Sequence, residues 1–168
     1  EGYKNLVKLV SLASIEGFYS KPRVATELLK KYHSGLICMS ACLAGEIPRL
    51  LAADDYEGAK SCALAYREIF GEGNYFLEIQ NHGISDEQKV TAYLYRLSQD
   101  TGIPLAATND CHYINRQDAE MQNVLLCIQT GKTLDEPNSI SFETNEFYVK
   151  SAEEMAELFP GHEDAVRN

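Results

Sequence analysis

The run Tyr75-Phe76-Leu77-Glu78-Ile79, followed by residues 85–100 and then Ile103-Pro104-Leu105-Ala106-Ala107, decides the fold class. YFLEI has β-type composition and is bounded by Gly73 and by His82-Gly83, so it reads as a strand. Residues 85–100 read as a helix, with Ser85 as N-cap and Gln88 three residues later completing a capping box. IPLAA is a further strand candidate. Upstream, residues 36–39 (LICM) form a short apolar run after Gly35, consistent with a buried strand, and residues 54–70 read as a helix ended by Gly71. Residues 118–130 read as the next helix, ended by Gly131. Strand and helix alternating three times is the pattern of a parallel α/β fold.

The flanks are less regular. Apolar spacing at Leu6, Leu9, Val10 and Ala13 predicts an amphipathic helix stopped by Gly17. Lys21-Pro22-Arg23 then breaks the chain before a short helix around residues 26–31. After Gly131 the pattern changes. Residues 142–150 (FETNEFYVK) look like a turn and a strand, and Ser151-Ala152-Glu153-Glu154 opens a last short helix with a capping box. The division is therefore residues 1–131 as strand–helix segments and residues 132–168 as a trailing turn–strand–helix segment. Three strands do not close a barrel, so the chain reads as part of a larger α/β body. An opening Glu1 in place of Met points the same way. Apolar surface left without its partner would favour a homodimer or a compensating contact.

Composition narrows the function classes. Hydrophobic residues make up 45% of the chain, close to the globular average, which excludes disorder. No run approaches the roughly 18–20 apolar residues of a spanning helix. No charged-then-apolar leader suggests secretion. Five cysteines (Cys38, Cys42, Cys62, Cys111, Cys127) make no C-x-x-C pair, as expected of reduced, mostly buried thiols in a cytoplasmic protein. With 25 acidic against 15 basic residues the net charge is −10. Gripping duplex DNA needs a local Lys/Arg excess, and no basic run supplies one.

In parallel α/β folds, function sits on the loops at the C-terminal ends of the strands. Those loops here are Ser40-Ala41-Cys42-Leu43-Ala44-Gly45, Gln80-Asn81-His82-Gly83 and Thr108-Asn109-Asp110-Cys111-His112-Tyr113, and all three carry potential metal ligands. In an extended segment residues two apart point the same way, so Asp110 and His112 can aim at one point. A carboxylate and an imidazole on one face suit Zn²⁺, Mn²⁺ or Fe²⁺. D-x-H is also a common and weak pattern, and on its own an Asp turn cap beside an ordinary hydrogen-bonded histidine is the simpler account.

Cys42 could be a thiolate ligand or a small residue filling a strand end. His82 could be a ligand, a phosphate contact or, most simply, a turn residue. Glu78 could touch a metal-bound water if it points into the strand-end mouth; buried elsewhere, it needs a partner. His33 and His162 read as solvated residues near helix ends. Gly131-Lys132-Thr133 resembles the end of a phosphate loop, but the upstream glycine is missing, with Leu126 in its place. These residues are too few for a complete catalytic metal cluster.

Several stretches, in collinear order over nearly the whole chain, resemble the PHP (polymerase and histidinol phosphatase) domain of bacterial replicative polymerase III alpha subunits of the DnaE type. They are Gly2-Tyr3-Lys4-Asn5-Leu6 with Lys8-Leu9, Lys21-Pro22-Arg23-Val24, Ser40-Ala41-Cys42-Leu43-Ala44-Gly45-Glu46, Gln80-Asn81-His82-Gly83, residues 107–113 (ATNDCHY) and residues 125–132 (LLCIQTGK). The resemblance implies the C-terminal half of a PHP domain, about three to four strands of a seven-stranded distorted (βα) barrel, with a metal cluster at the C-terminal strand ends. The family's early ligands, beginning with a paired H-x-H, do not occur here. What matches are the late motifs, with Cys42, Asp110 and His112 as metal-motif residues and His82 and Glu78 as accessory candidates.

The resemblance further implies a parent that is a DNA-directed DNA polymerase (nucleotidyltransferase) of bacterial chromosome replication. Its PHP domain would be a divalent-metal phosphoesterase or 3′–5′ exonuclease-like module, or alternatively a non-catalytic scaffold that docks a proofreading subunit. The isolated segment is expected to be inactive and to bind little or no metal. Its partners would be other replisome subunits, with DNA reached through the parent and no membrane involved.

Overall fold

The computed structural model describes residues 1–135 and 142–168. Eight helices, a 3₁₀ turn and three strands are present among them: α1 (Gly2–Ile15), α2 (Thr26–Tyr32), β1 (Cys38–Met39), α3 (Glu46–Ala52), α4 (Tyr56–Phe70), β2 (Tyr75–Ile79), α5 (Ser85–Thr101), β3 (Leu105–Ala107), the 3₁₀ turn Arg116–Asp118, α6 (Ala119–Thr130), α7 (Ala152–Leu158) and α8 (Glu163–Arg167). The strands form one parallel sheet in the order β1-β2-β3. Cys38 lies opposite Tyr75, and Leu77, Glu78 and Ile79 lie opposite Leu105, Ala106 and Ala107. Parallel neighbours need crossovers, which here are helical, as the alternating sequence pattern requires. The expected α/β class is thus present as a mixed helix–strand body around a small parallel sheet.

β2 sets the core. Tyr75, Leu77 and Ile79 alternate inward and are buried, whereas Phe76 and Glu78 are half-buried. Against them pack Ala59 and Ala63 of α4 and Val90, Leu94 and Leu97 of α5, with Ile47 and Leu51 of α3 and Phe159 in the same cluster. The two alanines are fully buried, as a close helix approach to the sheet demands.

The structure departs from the sequence expectations at several points. β1 has shrunk to two residues because Ile37 is exposed and the ladder to β2 begins only at Cys38. α3 was not anticipated. Pro48 sits in its first turn, where the backbone N–H has no intrahelical partner to lose. α4 begins at Tyr56, two residues later than expected, because the Asp55 side chain caps it by accepting from the N–H of Gly58 at 2.9 Å.

Ser85 is not the N-cap of α5. Ile84 occupies that place without a side-chain bond, and the first-turn carboxylate that reaches back is Glu87 rather than Gln88. The strand expected within residues 142–150 reduces to a single bridge, Tyr113 to Tyr148, and residues 136–141 of the trailing segment lie outside the described residues. The capping box of Ser151 and Glu154 is present, and α8 follows it unannounced.

Apolar surface is left open. α1 buries Leu9 and Ala13, but Leu6 and Val10, expected on the same buried face, are 47% and 56% exposed. Met121, Leu125 and Ile128, spaced along one side of α6, are also exposed. No helix among the described residues is long and apolar enough to cross a membrane. The five cysteines are free, but only Cys127 is buried; Cys111 is exposed and the other three are intermediate. Burial, with the Glu78 carboxylate nearby, pushes the Cys38 thiol up to about 11, so it stays protonated and unreactive. His162 is not simply solvated, since its ring stacks on Tyr95 at 3.9 Å.

Candidate metal pair at the strand ends

Each strand of a parallel sheet delivers its following loop to the same edge. At β1 the chain turns sharply: Ala41 has φ +66 and the Gly45 N–H donates to the Cys42 carbonyl at 2.8 Å. Gly45 is required by close approach, because a Cβ there would lie 2.3 Å from the Ser40 carbonyl oxygen. This turn half-buries Cys42 beside a small cavity that Glu78, Gln80 and Glu87 also line.

Glu78 does not project freely into the mouth. Its Oε1 accepts from the Thr108 hydroxyl at 2.5 Å and from Gln80 Nε2 at 3.0 Å, and Gln80 reaches Thr108 Oγ1 at 3.1 Å. A half-buried carboxylate is thereby paired, and the ends of β2 and β3 are laced together.

His82 is the most buried polar residue of the rim, with no exposed surface. Its Nδ1 lies 2.6 Å from Glu87 Oε1, and its backbone N–H donates to Glu87 Oε2 at 2.7 Å. Nε2 lies 3.0 Å from the Asn109 carbonyl oxygen. A carbonyl only accepts, so Nε2 carries a proton and donates. The ring also stacks on Phe147 at 3.8 Å. Both ring nitrogens are therefore engaged within the protein, and His82 sits at the expected turn after β2 but is buried there.

Asp110 and His112 do come together, with Asp110 Oδ1 3.6 Å from His112 Nε2 and both side chains about two-fifths exposed (40% and 38%). The route differs from the extended segment expected: Asp110 has φ +39, a left-handed conformation that Asp tolerates better than most residues. The His112 N–H donates to the Phe147 carbonyl at 2.8 Å, and its ring packs against Phe142 and Phe147. Asn109 joins the two segments through its side chain, donating to the Glu146 and Tyr148 carbonyls at 2.8 and 2.7 Å and accepting from Lys150 Nζ at 3.2 Å.

The pair fits a metal in one respect and falls short in another. Donors bound at about 2.0–2.2 Å to one tetrahedral cation sit about 3.3–3.6 Å from each other, so the observed 3.6 Å suits two adjacent ligands. Yet among the described residues no third His, Cys, Asp or Glu, Cys42 included, joins them into a group that could hold a metal. Glu87, Asn109 and Thr108, which frame the rim, were not singled out from the sequence. Glu87 alone left a signal, as a first-turn carboxylate five residues after a histidine.

In comparison with known families, residues 1–82 match the PHP domain. The match covers just under half of the chain, and the D-x-H pair lies beyond it. The chain is also similar to DNA polymerase III alpha subunits. It is 48% identical to the DNA polymerase III subunit alpha of Borreliella burgdorferi and 49% identical to that of Treponema pallidum, each over 99% of this chain and 14% of the relative. The Deinococcus radiodurans subunit is 44% identical over 95% of this chain and 12% of its own length. The chain thus spans about one seventh of the curated relatives it matches.

Proposed function

We propose that the chain is the later part of a PHP domain with partial-barrel architecture, within a DNA-directed DNA polymerase of bacterial chromosome replication. In this reading the parent works in the cytoplasm with other replisome subunits. DNA is reached through parts of the parent outside this acidic segment, whose net charge is −10. Residues 1–131 form the strand–helix part and residues 132–168 lead toward the polymerase body.

Asp110 and His112 supply two ligands to a divalent cation, Zn²⁺, Mn²⁺ or Fe²⁺, and Cys42 serves at a separate point of the same rim. The observation that carries this is the 3.6 Å spacing of Asp110 Oδ1 and His112 Nε2 on a solvent-facing edge. When bound, such a cation polarises a phosphate ester and activates water, the chemistry of a phosphoesterase or 3′–5′ exonuclease. The residues of the chain bind and orient: the Asp110 carboxylate and the His112 imidazole offer lone pairs outward. Glu78, held by Thr108 and Gln80, keeps the two strand ends in register.

A scaffold reading is favoured for the segment taken alone, because two convergent ligands are fewer than a catalytic site uses. The exposed faces of α1 and α6 then dock neighbouring elements of the parent, a proofreading subunit or, for the isolated chain, a second copy. Elemental analysis of the full-length protein beside its His112→Ala form separates the two. Near-stoichiometric metal, lowered by the substitution, supports the metal reading. Metal-free protein after growth with Zn²⁺ and Mn²⁺ overturns it and leaves the scaffold.

A further inference from the structure

We propose that His82, held by Glu87, is a positioning residue that sets the geometry of the Asp110–His112 pair, an inference that rests on the metal reading above. His82 is fully buried and Glu87 is 5% exposed, and the carboxylate grips the histidine twice, at Nδ1 (2.6 Å) and at the backbone N–H (2.7 Å). The ring is thereby fixed in both rotation and tilt, and its remaining nitrogen donates to the Asn109 carbonyl at 3.0 Å.

That carbonyl belongs to the peptide joining Asn109 to Asp110. A peptide is planar, so holding its oxygen fixes the plane from which the φ of Asp110, +39, is measured. The contact to Asn109 therefore governs where the Asp110 carboxylate points. The other ligand is held through the opposite wall of the same ring: Phe147 stacks on His82 at 3.8 Å, and its carbonyl accepts the His112 N–H at 2.8 Å. One buried imidazole thus supports the backbone of both residues without facing the cation. A turn residue or a core filler would need neither a doubly gripped ring nor a donor aimed at the peptide beside a left-handed aspartate.

The test is a Co²⁺ titration of the chelator-stripped full-length protein, followed by absorption, for the wild type and for His112→Ala, His82→Phe and His82→Gln. Phenylalanine keeps the stack on Phe147 but cannot donate, whereas the glutamine amide carries a donor near the position of Nε2. His82→Phe is expected to weaken Co²⁺ binding by about 10–100-fold, the usual effect of removing an outer support of a ligand. His82→Gln is expected to return the affinity and the absorption band toward the wild type. Thermal midpoints of the metal-free forms are recorded alongside, because a merely structural role would lower stability without this selective rescue.

If His82→Phe does not fold, His82→Asn takes its place, since its shorter amide cannot reach Asn109, and the comparison with His82→Gln is unchanged. Equal Co²⁺ affinity in the non-donating and donating variants overturns the positioning role. If that equality occurs while His112→Ala still abolishes binding, the metal reading stands and only this inference falls. If His112→Ala binds Co²⁺ like the wild type, both fall.

Discussion

The hydroxyl of Ser40 accepts a hydrogen bond from the backbone N–H of Glu78 at 2.8 Å, across the point where β1 ends and β2 continues. β1 pairs with β2 through only two residues, so this side chain extends a ladder that the backbone alone leaves short. Ser40 also donates its own N–H to the Phe76 carbonyl at 3.1 Å, and it is buried. Ser40→Ala removes the acceptor and strands the Glu78 N–H, which costs about 1–2 kcal/mol. Urea unfolding is expected to show a lower midpoint with an unchanged slope; an unchanged midpoint would mean that water replaces the hydroxyl.

Asp110 combines an unusual backbone with a candidate ligand, and two substitutions separate these roles. Asparagine tolerates the left-handed region nearly as well as aspartate, so in the full-length protein Asp110→Asn is expected to keep the melting temperature while lowering the bound metal that the proposed reading requires. Asp110→Ala lacks that tolerance and is expected to lose metal and also about 1 kcal/mol of stability. Equal stability of the two variants, measured by thermal melting, would show that the turn relaxes without cost.

Glu146 makes the stability pH-dependent. Partial burial alone would raise its carboxyl, but hydrogen bonds and charge from Arg116 and Lys150 outweigh this and hold it below the ordinary 4.5. The native state therefore favours the ionised form. The gain is fully present above pH 4.5 and is lost as the pH falls through the lower native value. Glu146→Gln keeps the shape without the charge. The wild type should exceed it in urea midpoint near pH 7, and the difference should close as the pH falls below 4.5 through the lower native value. A gap that persists in acid would point to hydrogen-bond geometry rather than charge.

What could be read from the chain beforehand follows from how local each cause is. β2 was legible because its β-type composition, its bounding glycines and its flanking helices lie within a few residues of one another. α3 was hidden because a seven-residue helix with Pro48 in its first turn offers little periodicity. The meeting of Asp110 and His112 was anticipated from their spacing, but not the left-handed turn that achieves it, since that turn depends on Asn109 being tied to Glu146 and Tyr148. His82 was placed in the bend after β2, but its burial was not foreseen. Glu87, five residues on, left a local signal for its partner, but Phe147, which stacks on its ring, is far away in sequence.

α1 offers the last prediction, because its exposed side is more apolar than an unpartnered helix surface should be. Leu6, Val7 and Val10 are each about half exposed and Tyr3 more so, while the buried side rests on Leu9 and Ala13. Its principal packing partner is α2, a helix with no buried residue of its own. Apolar side chains gathered on one face associate when nothing covers them. The isolated chain is therefore expected to self-associate at micromolar concentration, and Val10→Glu, placing a charge in that face, should shift it to monomer in sedimentation velocity. In the full-length protein the same substitution should lower the thermal midpoint where, as proposed, the face packs on other parts of the parent. A monomeric wild-type segment would show that this face stays wet in isolation. An unaffected full-length variant would show that no part of the parent covers it.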